Sequence, residues 1–117
     1  MSGEIVKAEF VPADNVPIEL TDDQRSYEHT FGLKVHICAV SVSHGNDDYV
    51  IVSLRKPEDT QPFWKNKFYK GLNGQIFIQP VPSLPLTGVI VEVEPGGSLT
   101  AINDSVLVNI SYIRAER

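Results

Sequence analysis

The chain has a single cysteine, Cys38, in 117 residues. No disulfide can form within it, so the fold must hold through packing, as expected in a reducing compartment or in assembly before release from one. No apolar run approaches the roughly 18 residues of a membrane span, and the opening MSGEIVKAEF has no apolar stretch behind a basic start. The expectation is a soluble chain with no signal peptide. Basic charge is also scarce: 10 Lys and Arg stand against 15 Asp and Glu, a net charge of −5. A nucleic-acid partner is therefore not expected, because phosphate neutralisation needs a basic surface. There is no CxxC, HxxxH or HExxH spacing, no G-x-S-x-G elbow, no phosphate loop and no twelve-residue calcium loop. No catalytic, metal or cofactor-binding residue is assigned, and the chain is read as a non-enzyme.

Alternation of apolar and polar residues fills most of what remains. Val89, Val91 and Val93 alternate with Ile90, Glu92 and Glu94, and Val106, Val108, Ile110 and Tyr112 with Leu107, Asn109, Ser111 and Ile113. A period of two places each set on one face of a sheet. Pro95-Gly96-Gly97 and Asn103-Asp104-Ser105 supply turn chemistry where the periodicity breaks. The run from Leu33 to Ser43 is apolar on both faces, which suits a central strand or one carrying a bulge. His44 to Asp48 is a turn cluster, and Tyr49 to Lys56 alternates again, so a β-hairpin is expected there. Residues 1–20 carry Ile5, Val6, Phe10, Val11, Val16, Ile18 and Leu20 but are cut by Pro12 and Pro17, which reads as an extended arm or edge strand. Thr21-Asp22-Asp23-Gln24 resembles a helix cap but allows at most one or two turns before the Phe31-Gly32 break. Gln75 to Gln79 is a short strand after the Asn73-Gly74 turn, and Pro80, Pro82 and Pro85 impose an extended crossing.

Several residue sets suggest chemistry and have a plainer explanation. His36 and Cys38 share a strand face, yet the only nearby third ligand, His44, lies at the far end of that strand, so a packed thiol is the better reading. Asp47 and Asp48 are turn formers. Glu92 and Glu94 could be a carboxylate pair for glycoside chemistry, but their alternation with valines marks a wet face opposite a dry one. Pro82-Ser83-Leu84-Pro85 reads as a rigid crossover rather than a ligand motif. The segment from Phe63 to Lys70 is different: Phe63, Trp64, Phe68 and Tyr69 interleave with Lys65, Lys67 and Lys70. Two readings compete evenly, rings completing the core or an aromatic anchor with a charged rim at a protein interface.

Seven or eight strands with turn signals every 8–12 residues predict one antiparallel β-sandwich, jelly-roll-like or immunoglobulin-like, over residues 21–117, entered by an extended N-terminal arm over residues 1–20. With its proline-punctuated arm, retained Met1 and a β domain lacking catalytic residues, the chain resembles the small β-sandwich structural proteins of viruses and bacteriophages, of minor capsid, cement or decoration type. The resemblance implies a non-enzymatic structural protein that self-assembles or docks on a larger particle, located in a virion if viral and otherwise cytoplasmic. Partners would be copies of itself or other virion subunits, with no membrane or nucleic acid. The expected interface residues are Phe63, Trp64, Phe68, Tyr69, Phe10 and Ile18. The alternatives are a carbohydrate-binding module using Trp64 and its neighbouring rings, and an enzyme of unrecognised type.

Overall fold

A computed structural model describes residues 14–70, 74–77 and 85–115, with the backbone alone for 74–77. Seven strands follow in order: β1 (Asp14–Leu20), β2 (Ser26–Ser43), β3 (Val50–Arg55), β4 (Trp64–Phe68), β5 (Gly74–Phe77), β6 (Leu86–Pro95) and β7 (Val106–Arg114). No helix occurs among the described residues. All pairings are antiparallel, in the order β1-β7-β2-β6-β3-β4, with β5 beside β2. The all-β antiparallel expectation is met. The strands join in one sheet curled around its core, and no separate second sheet stands among the described residues.

The predicted alternation decides which side is inside. Val89, Val91 and Val93 of β6, Val106, Val108 and Ile110 of β7, and Val50, Val52 and Leu54 of β3 are buried almost completely, while Leu107, between Val106 and Val108, and Glu94, just after Val93, are exposed. Burying each such side chain contributes about 1.5–3 kcal/mol. Ile18 and Leu20 of β1 belong to the same core. The expected arm of residues 1–20 thus ends in a strand of the sheet, with Pro17 tolerated because β1 is an edge.

β2 explains why its sequence looks apolar on both faces. Between Ile37 and Ala39 the pairing with β7 slips by one, because Cys38 and Ala39 together oppose Ser111. This β-bulge resets the phase: Val35 and Ile37 face inward before it, Val40 and Val42 after it. A second irregularity lies between Thr30 and Val35, where Gly32 has φ of 79°. The strand runs through Phe31-Gly32, where the sequence suggests a break, because glycine takes that backbone conformation without the cost of a Cβ.

Two further expectations are corrected. β2 and β3 do not form a hairpin: β6 lies between them, and the loop from His44 to Tyr49 crosses it. The Gly-Asn-Asp residues do turn the chain, but both edges of β2 are already occupied by β6, β5 and β7. The local hairpin is β3–β4, with Val50 opposite Phe68 and Leu54 opposite Trp64. Residues 21–24 form a closed turn instead of a helix, with Thr21 and Gln24 exchanging backbone hydrogen bonds of 3.0 and 3.1 Å. The short strand expected at Gln75 to Gln79 is β5, while Asn73 and the proline crossing from Pro80 to Leu84 lie outside the described residues.

Candidate functional site

The register of β4, β3 and β6 builds a two-sided sheet. Inward come Trp64 and Phe68 with Leu54 and Val50; outward come Lys65 and Lys67 of β4, Ser53 and Ile51 of β3, and Glu92 and Glu94 of β6. Cross-strand neighbours share a face, so this outer face carries a lysine stripe and a glutamate stripe separated by one strand. Ile51, Lys65, Asn66 and Lys67 line a shallow hollow of about 330 Å³. At its rim the Lys67 ammonium lies 4.6 Å from the centre of the Tyr49 ring, and Tyr49 meets Tyr69 edge-on at 5.3 Å. Tyr69 is 50% exposed. Arg55 approaches Glu92 at 3.6 Å, while Lys65 and Glu94 have no ion-pair partner among the described residues.

One end of the sheet is tied by side chains that composition alone reads only as turn formers. Asn46 is buried, and its Oδ1 accepts from the backbone N–H groups of Asn103 and Asp104, both at 2.8 Å. Its Nδ2 donates to the Asp104 carbonyl at 2.9 Å. His44 supports it: Nδ1 accepts from the Asn46 backbone N–H at 3.1 Å, so the other nitrogen carries the proton and Nε2 donates to the Phe68 carbonyl at 2.8 Å. Asp48 accepts from the Ser98 N–H at 2.8 Å, the Ser98 hydroxyl at 3.0 Å and the Tyr49 N–H at 2.8 Å. The Ser98 N–H foremost, then the Tyr49 N–H and the Ser98 hydroxyl, hold its carboxyl below the usual range. Asp22 is lowered likewise, by the Ile102 N–H first and then by Arg25. Gly96 fits flat under Tyr49, where a Cβ would collide with the ring.

The expected interface residues separate. Phe68 is buried in the core, and Phe63 and Trp64 are half-buried against it, with the Trp64 and Phe68 ring centres 6.0 Å apart. Tyr69 alone of the four is exposed. Ile18 is 4% exposed within its own chain, and Phe10 lies outside the described residues. The paired glutamates take the wet face assigned to them. Cys38 sits in the bulge, where its thiol donates to the Ser111 carbonyl at 3.4 Å. Among the described residues no group of three His, Cys, Asp or Glu side chains is placed to hold a metal, and no helix is long and apolar enough to cross a membrane.

No protein-family model matches the chain and no curated sequence is similar to it at a significant level. Likeness is found among solved structures. The Drosophila NLP core, whose structure was described for pentamer formation and histone binding, superposes with a TM-score of 0.51 at 15% identity, over 86% of this chain and 99% of that one. A subunit of the disulfide-linked pili of Bacillus endospore appendages gives 0.50 at 12% identity over 98% of both chains. A chain of tomato aspermy virus gives 0.46 at 12% identity, over 99% of this chain and 84% of that one. At these identities the likeness concerns the fold.

Proposed function

We propose that the protein is a non-enzymatic structural subunit that associates with copies of itself, with the outer face of β4, β3 and β6 as the contact. The observation that supports this most is the self-complementarity of that face. Lys65 and Lys67 lie along one side of Ile51 and Ser53, and Glu92 and Glu94 along the other. A two-fold axis parallel to β3 and lying over its outer face brings the lysines of one copy over the glutamates of the next, the isologous pairing of a symmetric dimer. Ile51 and the Tyr49–Tyr69 pair supply apolar contact at the centre and rim, where aromatic side chains concentrate binding energy. The described fold neighbours include a pentamer-forming core and a pilus subunit, which is consistent with a scaffold used for assembly. Placement in a virion, and closure of the curled sheet into a full sandwich in the assembly, belong to this proposal.

Sedimentation of the unmodified chain at micromolar concentration is expected to show dimers or larger species that weaken as salt rises. Lys67→Glu is expected to weaken association at least tenfold, and adding Glu94→Lys to restore it in part. A chain that stays monomeric at every concentration, or a double variant no better than the single one, overturns the contact. The carbohydrate-binding alternative predicts instead a monomer whose Trp64 fluorescence responds to oligosaccharides.

A further inference from the structure

The outer face of β1, β7 and β2 differs from the lysine and glutamate face in what it lacks. Val106, Val108 and Ile110 point into the core, so Leu107, Asn109, Ser111 and Ile113 point out. Glu19 and Ser43 flank Leu107, and Pro17 and Ser41 flank Asn109. From the level of Leu107 to that of Ile113 no Lys or Arg stands on this face among the described residues, and Glu19 at its margin is the only carboxylate. Leu107 is 45% exposed there. Asn109, at the centre, is unsatisfied: its Oδ1 is enclosed and has no hydrogen-bond partner among the described residues. Ile18 and Val108 share one core cluster with Val52 and Val93, so this face and the charged one turn away from each other across that core.

We propose that this uncharged face is a second contact between copies of the chain, made sheet against sheet across a two-fold axis that runs along β7. Charge argues for a second copy as the occupant. Each chain carries a net −5, so two copies repel over most approaches, and an uncharged patch is where they meet without opposing like charges. Register argues for it too. With the axis along β7, the β1 of one copy lies over the β2 of the other, so Glu19 falls over Ser43 and not over a second carboxylate. Leu107 meets Leu107 at the axis, and Asn109 meets Asn109. An amide carries both a donor and an acceptor, so two of them turned towards each other exchange hydrogen bonds in both directions. Turning gives up no side-chain hydrogen bond of Asn109 among the described residues, because its Oδ1 has none. The patch is small, three strands ~4.8 Å apart and about 20 Å long, well short of the roughly 1,200 Å² at which interfaces become stable alone. The contact is therefore sparsely populated at low micromolar concentration, where the charged face sets the salt response. Joined to that charged contact, on whose reading this consequence rests, it makes assembly open-ended. Two two-fold axes on opposite sides of a molecule that do not meet combine into a screw, so copies add without closing.

The test combines sedimentation at high micromolar concentration with cross-linking, both in the full chain. The unmodified chain is expected to form species larger than a dimer, Leu107→Glu and Lys67→Glu each to stop at dimers, and the double variant to stay monomeric. For cross-linking, Cys38→Ser with Leu107→Cys is treated with a bismaleimide that spans sheets ~10 Å apart. At least tenfold more cross-linked dimer is expected than from Thr60→Cys, exposed in the turn before β4, with or without Lys67→Glu. Sulfate is expected to raise that yield, since it strengthens apolar burial while screening the charged contact. Cross-linking at the Thr60 level in a chain that still melts cooperatively overturns the proposal, as does a Leu107→Glu variant that assembles like the unmodified chain. A Leu107→Cys dimer that persists while Lys67→Glu changes nothing overturns the charged contact and supports this one.

Discussion

Asn46 shows how much one amide side chain can hold. Three of its hydrogen bonds reach Asn103 and Asp104, on the loop that leads into the last strand. Removing the acceptor leaves two backbone N–H groups without a partner, each costing about 1–3 kcal/mol when enclosed. Asn46→Ala is expected to lower stability by about 3 kcal/mol in urea denaturation, and Asn46→Asp, which keeps the acceptor, by less. Sequence reasoning found the turn and missed the tie, because an Asx-rich loop declares that the chain bends and not which distant backbone it will hold. Asp48 and Asp22 add a pH dependence. Their carboxyls sit lower in the folded chain than the ordinary value of about 4. The stabilisation they give is therefore complete above that value and is lost as pH falls through the folded values. The urea midpoint is expected to drop between pH 5 and pH 2.5, with a shallower drop in Asp48→Asn; an unchanged slope in that variant would remove Asp48 from the account. Phe68 and Tyr69 divide a segment that the sequence leaves balanced. Phe68→Ala is expected to cost about 3–5 kcal/mol of stability from lost transfer energy and a cavity. Tyr69→Ala should leave melting nearly unchanged and weaken self-association.

At the scale of an element, β2 carries the most consequence, since it touches β5, β6 and β7. Its bulge makes a test available in which two deletions of equal size differ in outcome. Deleting Cys38 removes the extra residue, so Ile37 and Val40 become in phase and the inward set is preserved. Deleting Ser41 turns Val42 and everything after it to the wrong face, because a one-residue slip reverses every side chain beyond it. Cooperative melting is expected to survive the first deletion at a reduced temperature and to disappear in the second. Equal behaviour of the two would mean that the bulge does not set the phase. Strand positions were legible because alternation is a local property: the inward faces of β3, β6 and β7 follow from it directly. Strand partners were not. The expected β2–β3 hairpin failed because β6, written more than thirty residues after β3 begins, takes the place between them.

The described residues form a curled sheet, with β1 and β4 at opposite ends of one hydrogen-bonded path. Open edges of this kind invite pairing, and lysines on β4 are one way of limiting it to the intended partner. The proposed contact face was half legible: the lysines and the glutamates each stood out, but nothing in the sequence places β4 and β6 on either side of β3. Salt is expected to weaken association while leaving the melting temperature of the monomer nearly constant, because the core that holds the fold is apolar.

Strand order also governs how quickly this chain can acquire its structure. Among the described residues β1 bonds only to β7, and β2 waits for β5, β6 and β7, so apart from the β3–β4 hairpin each lasting contact closes a long loop. Such non-local topologies fold in milliseconds to seconds where helical bundles take microseconds. On the ribosome the first strand emerges with its edge unsatisfied and keeps it so until Val106–Arg114 has been made. Ile18 and Leu20 of β1 pass that interval in water, so the period of synthesis before the last strand appears is when this protein is most exposed to aggregation.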